Sequence, residues 1–106
     1  MNNKIRSIVF TAMVSVAATA FAQGSAEANY KAKCLMCHAA DGSGSTPAGK
    51  SMKTPSFSSP EVAKKSDADL FSATKNGVGK MPAYAGKLSD GDIKDLVAYI
   101  HTLQKK

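Results

Sequence analysis

Tryptophan is absent from the 106 residues, cysteine and histidine occur twice each, and the aromatic share is only 7%. A chain with so few large apolar side chains draws little core from its own residues. At this length it supports one domain that buries only about 60–65% of its unfolded surface. Long apolar runs are also missing. The stretch from Ile8 to Ala18 falls short of the ~20 residues that span a bilayer. Acidic residues number 8 against 14 basic ones. The basic excess is too modest and scattered, and too free of recognised motifs, to argue for nucleic acid. No sustained strand alternation and no internal repeat appear, so the expected class is all-α.

The scarce residues are not scattered. Cys34-Leu35-Met36-Cys37-His38 places two thiols three positions apart and an imidazole directly after them, the C-x-x-C-H pattern of c-type haem attachment. Each thiol can add across one haem vinyl group to give a thioether, and the spacing bridges neighbouring vinyls on one helical turn. The next residue then lies beneath the porphyrin, where neutral imidazole binds iron. Three plainer readings compete. A thioredoxin-like redox pair needs a βαβ context that this sequence lacks. A structural zinc site needs four ligands, which would draw in His101 and crowd His38 against Cys37. A simple Cys34–Cys37 disulfide leaves His38 without a role.

Residues 1–22 read as a secretory signal. Lys4 and Arg6 form the positive start, the apolar stretch follows, and Ala20-Phe21-Ala22 gives a small-x-small cleavage site before Gln23. An uncleaved membrane anchor is the alternative. Cleavage takes 22 residues from 106 and leaves 84, with 12 basic against 8 acidic residues, a charge of +4 before any cofactor. Export suits the motif, because haem is attached to c-type proteins outside the cytoplasm, and a bacterial periplasm is the expected compartment. The remaining residues 23–106 form the expected single domain, a monomer without a membrane span. A flat apolar haem would supply much of the core the chain lacks.

The spacing of Ala26, Tyr30 and Cys34 predicts a first helix over 25–34. Residues 39–56, rich in Gly, Ser, Thr and Pro, read as a loop held in place by the porphyrin. Ser59-Pro60-Glu61 opens a short helix with a capping serine and proline at its first position. Ser66 with Asp69 is a capping-box variant leading to a stop at Gly77. Ser89 with Asp92 repeats it, with Leu88 and Ile93 as a hydrophobic staple. The last helix runs from about Asp90 to Gln104, where Ile93, Leu96, Val97, Ile100 and Leu103 make one apolar stripe. Its expected partner is the first helix, through Ala26 and Tyr30.

An electron carrier needs a second axial ligand, and Met36, Met52, Met81 and His101 are the candidates. Met36 lies between the cysteines and cannot reach the opposite haem face. Met52 sits in the loop as a solvated or haem-edge side chain, and His101 reads as a helix-end histidine. Met81 stands out. It precedes Pro82, which disfavours the α region before it, and Gly77, Gly79 and Gly86 surround it. An extended strap of that kind lays a thioether over iron. Core filling is the ordinary alternative for a methionine.

CLMCHAADGSG and GKMPAYAGKLSDGDIKDLVAYIHTL resemble the haem-attachment segment and the methionine strap with C-terminal helix of small class I c-type cytochromes, the soluble monohaem carriers. The resemblance covers nearly all of 23–106. It implies three to five helices wrapped around one covalent haem c with an exposed edge. It gives Cys34 and Cys37 the role of thioether anchors, His38 that of proximal ligand and Met81 that of distal ligand. It also suggests Pro47 as the residue whose carbonyl accepts the proximal histidine's N–H, a bond that fixes a metal-bound imidazole.

These residues predict a non-enzymatic, periplasmic single-electron carrier with no catalytic group. A thioether is soft and favours ferrous iron, which raises the potential, and burial acts the same way. Redox protein donors and acceptors would meet the exposed haem edge. Lys31, Lys33, Lys50, Lys53, Lys75, Lys80 and Lys87 would form a positive rim that steers acidic partners, unless they serve solubility alone. Two other classes remain compatible with the sequence. One is a five-coordinate, gas-binding or peroxidatic haem protein with Met81 swung away. The other is a dedicated electron-transfer subunit of a larger redox complex.

Overall fold

The computed structural model describes the backbone of residues 18–104 and the side chains of 25–104. The expected signal, residues 1–22 with its cleavage site, falls outside the residues whose side chains are described. The elements, in chain order, are α1 (Ala18–Lys33), α2 (Leu35–His38), α3 (Pro47–Ser51), α4 (Pro60–Ala63), α5 (Asp67–Asn76) and α6 (Asp90–Gln104). Among the described residues the only β pairing is two isolated bridges, Val78–Met81 and Ala85–Leu88. The class is all-α, with three long helices and three of about one turn among the described residues.

Local chemistry explains where the long helices start and stop. At α5 the Ser66 hydroxyl accepts from the Asp69 N–H at 3.1 Å, and the Asp69 carboxylate accepts from the Ser66 N–H at 3.4 Å. Ser89 and Asp92 make the same reciprocal pair at 3.1 and 3.2 Å ahead of α6. Each satisfies two N–H groups that a helix start leaves open, with a cap contributing about 1 kcal/mol. Gly77 ends α5 at φ 80°. A Cβ there would lie 2.7 Å from the Met81 carbonyl oxygen, so glycine is required for the chain to double back.

The short helices depart from the sequence reading in two places. Residues 39–56 are not all loop, because α3 forms within them. Thr46 caps it by accepting from the Gly49 N–H at 3.0 Å, and Pro47 occupies the first turn. At α4, Ser59 stands at the N-cap as expected, yet its hydroxyl makes no capping bond and lies buried without a partner. Proline's preset φ opens that turn without the serine's help.

Packing follows the α6 stripe. Ile93, Leu96, Val97, Ile100 and Leu103 are all buried, and α6 packs against both α1 and α5. From α1, Ala26 and Tyr30 face it, Tyr30 with 1% of its surface exposed. The Tyr30 ring lies 5.1 Å from Tyr99 and 6.4 Å from Phe57. Leu88, Leu70, Val62 and Phe57 complete the cluster, with Cys34, Leu35 and Tyr84 packed on its border. Leu96→Ala should lower the unfolding free energy of the protein by about 2–5 kcal/mol, read by chemical denaturation. Wild-type stability in that variant would contradict its place in the core.

Candidate functional site

The site begins where α1 ends. The Cys34 N–H donates to the Tyr30 carbonyl at 2.8 Å, and the Cys37 and His38 N–H groups donate back to the Cys34 carbonyl at 3.2 and 2.9 Å. Helical turns at this point put residues three and four apart on one side, which groups Cys34 with Cys37 and His38. Met36 faces away and is 74% exposed, as its place between the cysteines requires.

Both thiols are free. Burial pushes the Cys34 thiol up to about 11. Burial moves His38 the other way, below the usual histidine range, and keeps its imidazole neutral with a lone pair for iron. The Phe57 ring stacks on that imidazole at 4.6 Å and 19°.

Residues 39–56 are held by the protein's own bonds, not by a porphyrin alone. Ala39 turns the chain out of α2 at φ 67° and ψ 164°, a conformation ordinarily left to glycine that costs of order 1–3 kcal/mol. The Tyr30 hydroxyl donates to the Ala39 carbonyl at 2.5 Å and pins that turn. The Gly44 N–H donates to the His38 carbonyl at 2.9 Å. The Thr46 hydroxyl donates to the Met36 carbonyl at 2.5 Å, with the Cys37 carbonyl at 3.4 Å. Gly49 passes so close that a Cβ would collide with the carbonyl oxygens of Cys37 and Gly44.

The bond expected from the proximal imidazole to the Pro47 carbonyl is not formed in this structure. His38 Nδ1 is buried without a hydrogen-bond partner, and Pro47 is the exposed first residue of α3.

Met81 lies half-buried on the segment between α5 and α6. The Met81 N–H donates to the Val78 carbonyl at 2.9 Å and the Val78 N–H returns a bond to the Met81 carbonyl at 3.2 Å. The Tyr84 and Ala85 N–H groups donate to the Thr74 and Lys75 carbonyls at 3.1 and 3.0 Å, which lays the strap back along α5. Its far attachment crosses the molecule: the Tyr84 hydroxyl donates to the Lys33 carbonyl at 2.9 Å, beside Cys34. Burial, then the nearby Cys34 and Cys37, raise the Tyr84 hydroxyl above its ordinary value.

The other candidates are placed elsewhere. Met52 caps the C-terminal end of α3 and is 45% exposed. His101 bonds Asp67 through Nε2 at 2.5 Å and Gln104 through Nδ1 at 2.7 Å. Among the described residues no three His, Cys, Asp or Glu side chains gather to hold a metal ion. Of the seven lysines expected around the haem, Lys31 pairs with Glu27 at 2.9 Å and Lys75 with Asp90 at 3.1 Å, so part of the positive rim is locally offset. Sequence reasoning missed Phe57 and the Tyr84–Lys33 bond. Phe57 did leave a trace, as the one aromatic residue in a stretch of small and polar ones.

Paired free thiols, a neutral imidazole next to them and a thioether on a strap tied to the same helix end suit a covalently attached haem, and the class they define is the small c-type haem protein. The family model described as cytochrome c oxidase, cbb3-type, subunit III matches residues 22–100. A curated cytochrome c6 from Picosynechococcus sp. is 31% identical over 106 residues, covering 92% of this chain and 91% of its own length. The chain belongs to the c-type cytochrome family, whose members are electron carriers with redox partners, and its cofactor is covalently bound haem c with iron. No helix among the described residues is long and apolar enough to cross a membrane.

Gly49→Ala is expected to destabilise the holoprotein by about 1–3 kcal/mol, because the colliding atoms are backbone. Unfolding of holoprotein of equal haem content measures it, and an unchanged midpoint would mean the segment shifts freely.

Proposed function

We propose that this protein is an exported, periplasmic single-electron carrier, with no catalytic residue, whose haem c is anchored by Cys34 and Cys37 and ligated by His38 and Met81. The observation that carries this reading is the Tyr84–Lys33 bond, which closes 51 positions of chain and holds the strap bearing Met81 at the end of the helix that delivers Cys34. When bound, the haem iron cycles between ferric and ferrous states and so takes up or releases one electron.

The chain's own residues prepare for that exchange. Burial keeps the His38 imidazole neutral, the form in which histidine binds metals. The Phe57 ring holds it from one side. Met81 offers a soft donor, which favours the reduced metal. A site closed on both faces has no open position for substrate, which supports transfer over turnover. The exposed side chains of Met36, Met52 and Val78 and the lysines not offset by acids offer a surface for brief encounters with redox proteins. The residues before Gln23 carry the pattern of a cleaved signal, which supports a periplasmic location.

The oxidase-subunit description of the matching family model favours a second reading, in which the same haem domain serves within a larger redox complex. Crosslinking in the native host separates the two. A free carrier should fractionate alone, whereas a subunit should copurify with one membrane oxidase in fixed ratio.

Met81→Ala tests the distal assignment. The variant should lose the weak far-red sulfur-to-iron band, bind carbon monoxide readily, and show a lower reduction potential, while covalent haem is retained by mass. A wild-type spectrum and potential would remove Met81 from the iron.

A further inference from the structure

One chain of hydrogen bonds has no part in the reading above, yet it leads to the residue that backs His38. The carbonyl of Phe57 accepts from Gln104 Nε2 at 3.1 Å. A carbonyl has only lone pairs, so this contact fixes the amide's direction: Nε2 donates to Phe57 and Oε1 turns to His101. His101 Nδ1 then donates to Gln104 Oε1 at 2.7 Å, and its Nε2 meets Asp67 of α5 at 2.5 Å. Three side chains from the first turn of α5 and the last turn of α6 thus form a relay whose last member, Gln104, bonds one backbone oxygen.

Phe57 has little freedom left. Its N–H donates to the Gly42 carbonyl at 2.9 Å. Its ring lies over Gly42 so tightly that a Cβ there would stand 2.5 Å from Phe57 Cδ2 and 3.4 Å from Leu103 Cβ. Only 7% of the residue is exposed. Its remaining face stacks on the His38 imidazole at 4.6 Å and 19°. That contact matters more because His38 Nδ1 is buried with no hydrogen-bond partner. A metal-bound histidine is ordinarily oriented by a bond from its second nitrogen. Here the stacked phenyl ring bears on the imidazole and restricts its rotation.

We propose that Gln104, aligned by His101 and Asp67, is a positioning residue for the proximal ligand: by holding the Phe57 carbonyl it fixes the phenyl ring against His38 and so sets the plane of the iron-bound imidazole. The proposal rests on the reading of His38 as an iron ligand. The imidazole plane governs overlap between the ligand and the iron d orbitals, so its rotation is visible in the spectrum of the ferric protein. Outer residues that orient a ligand tune the metal without touching it.

The test uses mature ferric holoprotein. Gln104→Glu keeps an acceptor for His101 but loses the donor to Phe57, and His101→Asn breaks the chain one link back. Ser89→Ala is the control. It removes the cap at the opposite end of α6 and lowers the melting temperature without approaching Phe57. Proton NMR reads the paramagnetically shifted haem-methyl resonances, alongside the midpoint potential and thermal melting. Gln104→Glu and His101→Asn should both redistribute the four methyl shifts and move the potential, while Ser89→Ala lowers melting with both unchanged. The wild-type methyl pattern in Gln104→Glu overturns the proposal, as does an equal redistribution in Ser89→Ala. If Gln104→Glu does not mature, His101→Asn decides by the same criteria. A wild-type protein that shows no low-spin imidazole-ligated signature overturns the ligand reading itself, before any variant is compared.

Discussion

Tyr30 is the contact on which the arrangement depends. Its ring fills the space between α1, Tyr99 of α6 and Phe57, and its hydroxyl reaches the carbonyl of Ala39. A protein without tryptophan has few side chains that bridge so far. Because α1 is locked to α6 through this residue, the turn carrying Cys34, Cys37 and His38 leaves the helix at a fixed place. The unfavourable backbone at Ala39 is tolerated for the same reason: the surrounding structure over-determines it. Burial raises the Tyr30 hydroxyl far above its ordinary range, so the group stays a donor at any physiological pH.

What the sequence revealed and what it concealed follow a physical division. Capping boxes at Ser66 and Ser89 and the α6 stripe are local signals, confined to a few residues and a known period, and each appears where it was expected. The attachment motif is also local, and so were Cys34, Cys37 and His38. Thr46-Pro47 carried the same sequence pattern as Ser59-Pro60, but the glycines and serines around it masked α3. Contacts between distant segments left no periodic trace. Nothing in the spacing announced that Phe57 would meet His38 or that Tyr84 would reach Lys33. The resemblance also suggested a bond from His38 to the Pro47 carbonyl, and none is formed here.

The electrostatics are quieter than the count of lysines suggested. Two of the seven around the expected haem edge are matched by neighbouring acids, and exposed pairs of this kind contribute little to stability. Their effect is on the field: the unpaired positive charge concentrates nearer the strap and the end of α3 at Lys50 and Lys53. Exposed apolar side chains occur in the same segments. A patch of that mixed kind suits encounters that must end quickly, since little area is buried and salt screens the attraction.

The strap between α5 and α6 differs from the rest in how it is retained. Gly79 and Gly86 both hold positive φ, with nothing near the place a side chain would occupy. Its anchor on Lys33 is a solvent-exposed bond, whereas the α1–α6 seam is closed by buried rings and branched aliphatics. Segments with few apolar contacts and wet hydrogen bonds occupy the low end of a protein's spectrum of opening energies. Amide protons of the strap should therefore trade with solvent sooner than those of the seam, giving this small molecule one hinged flap on an otherwise shut body.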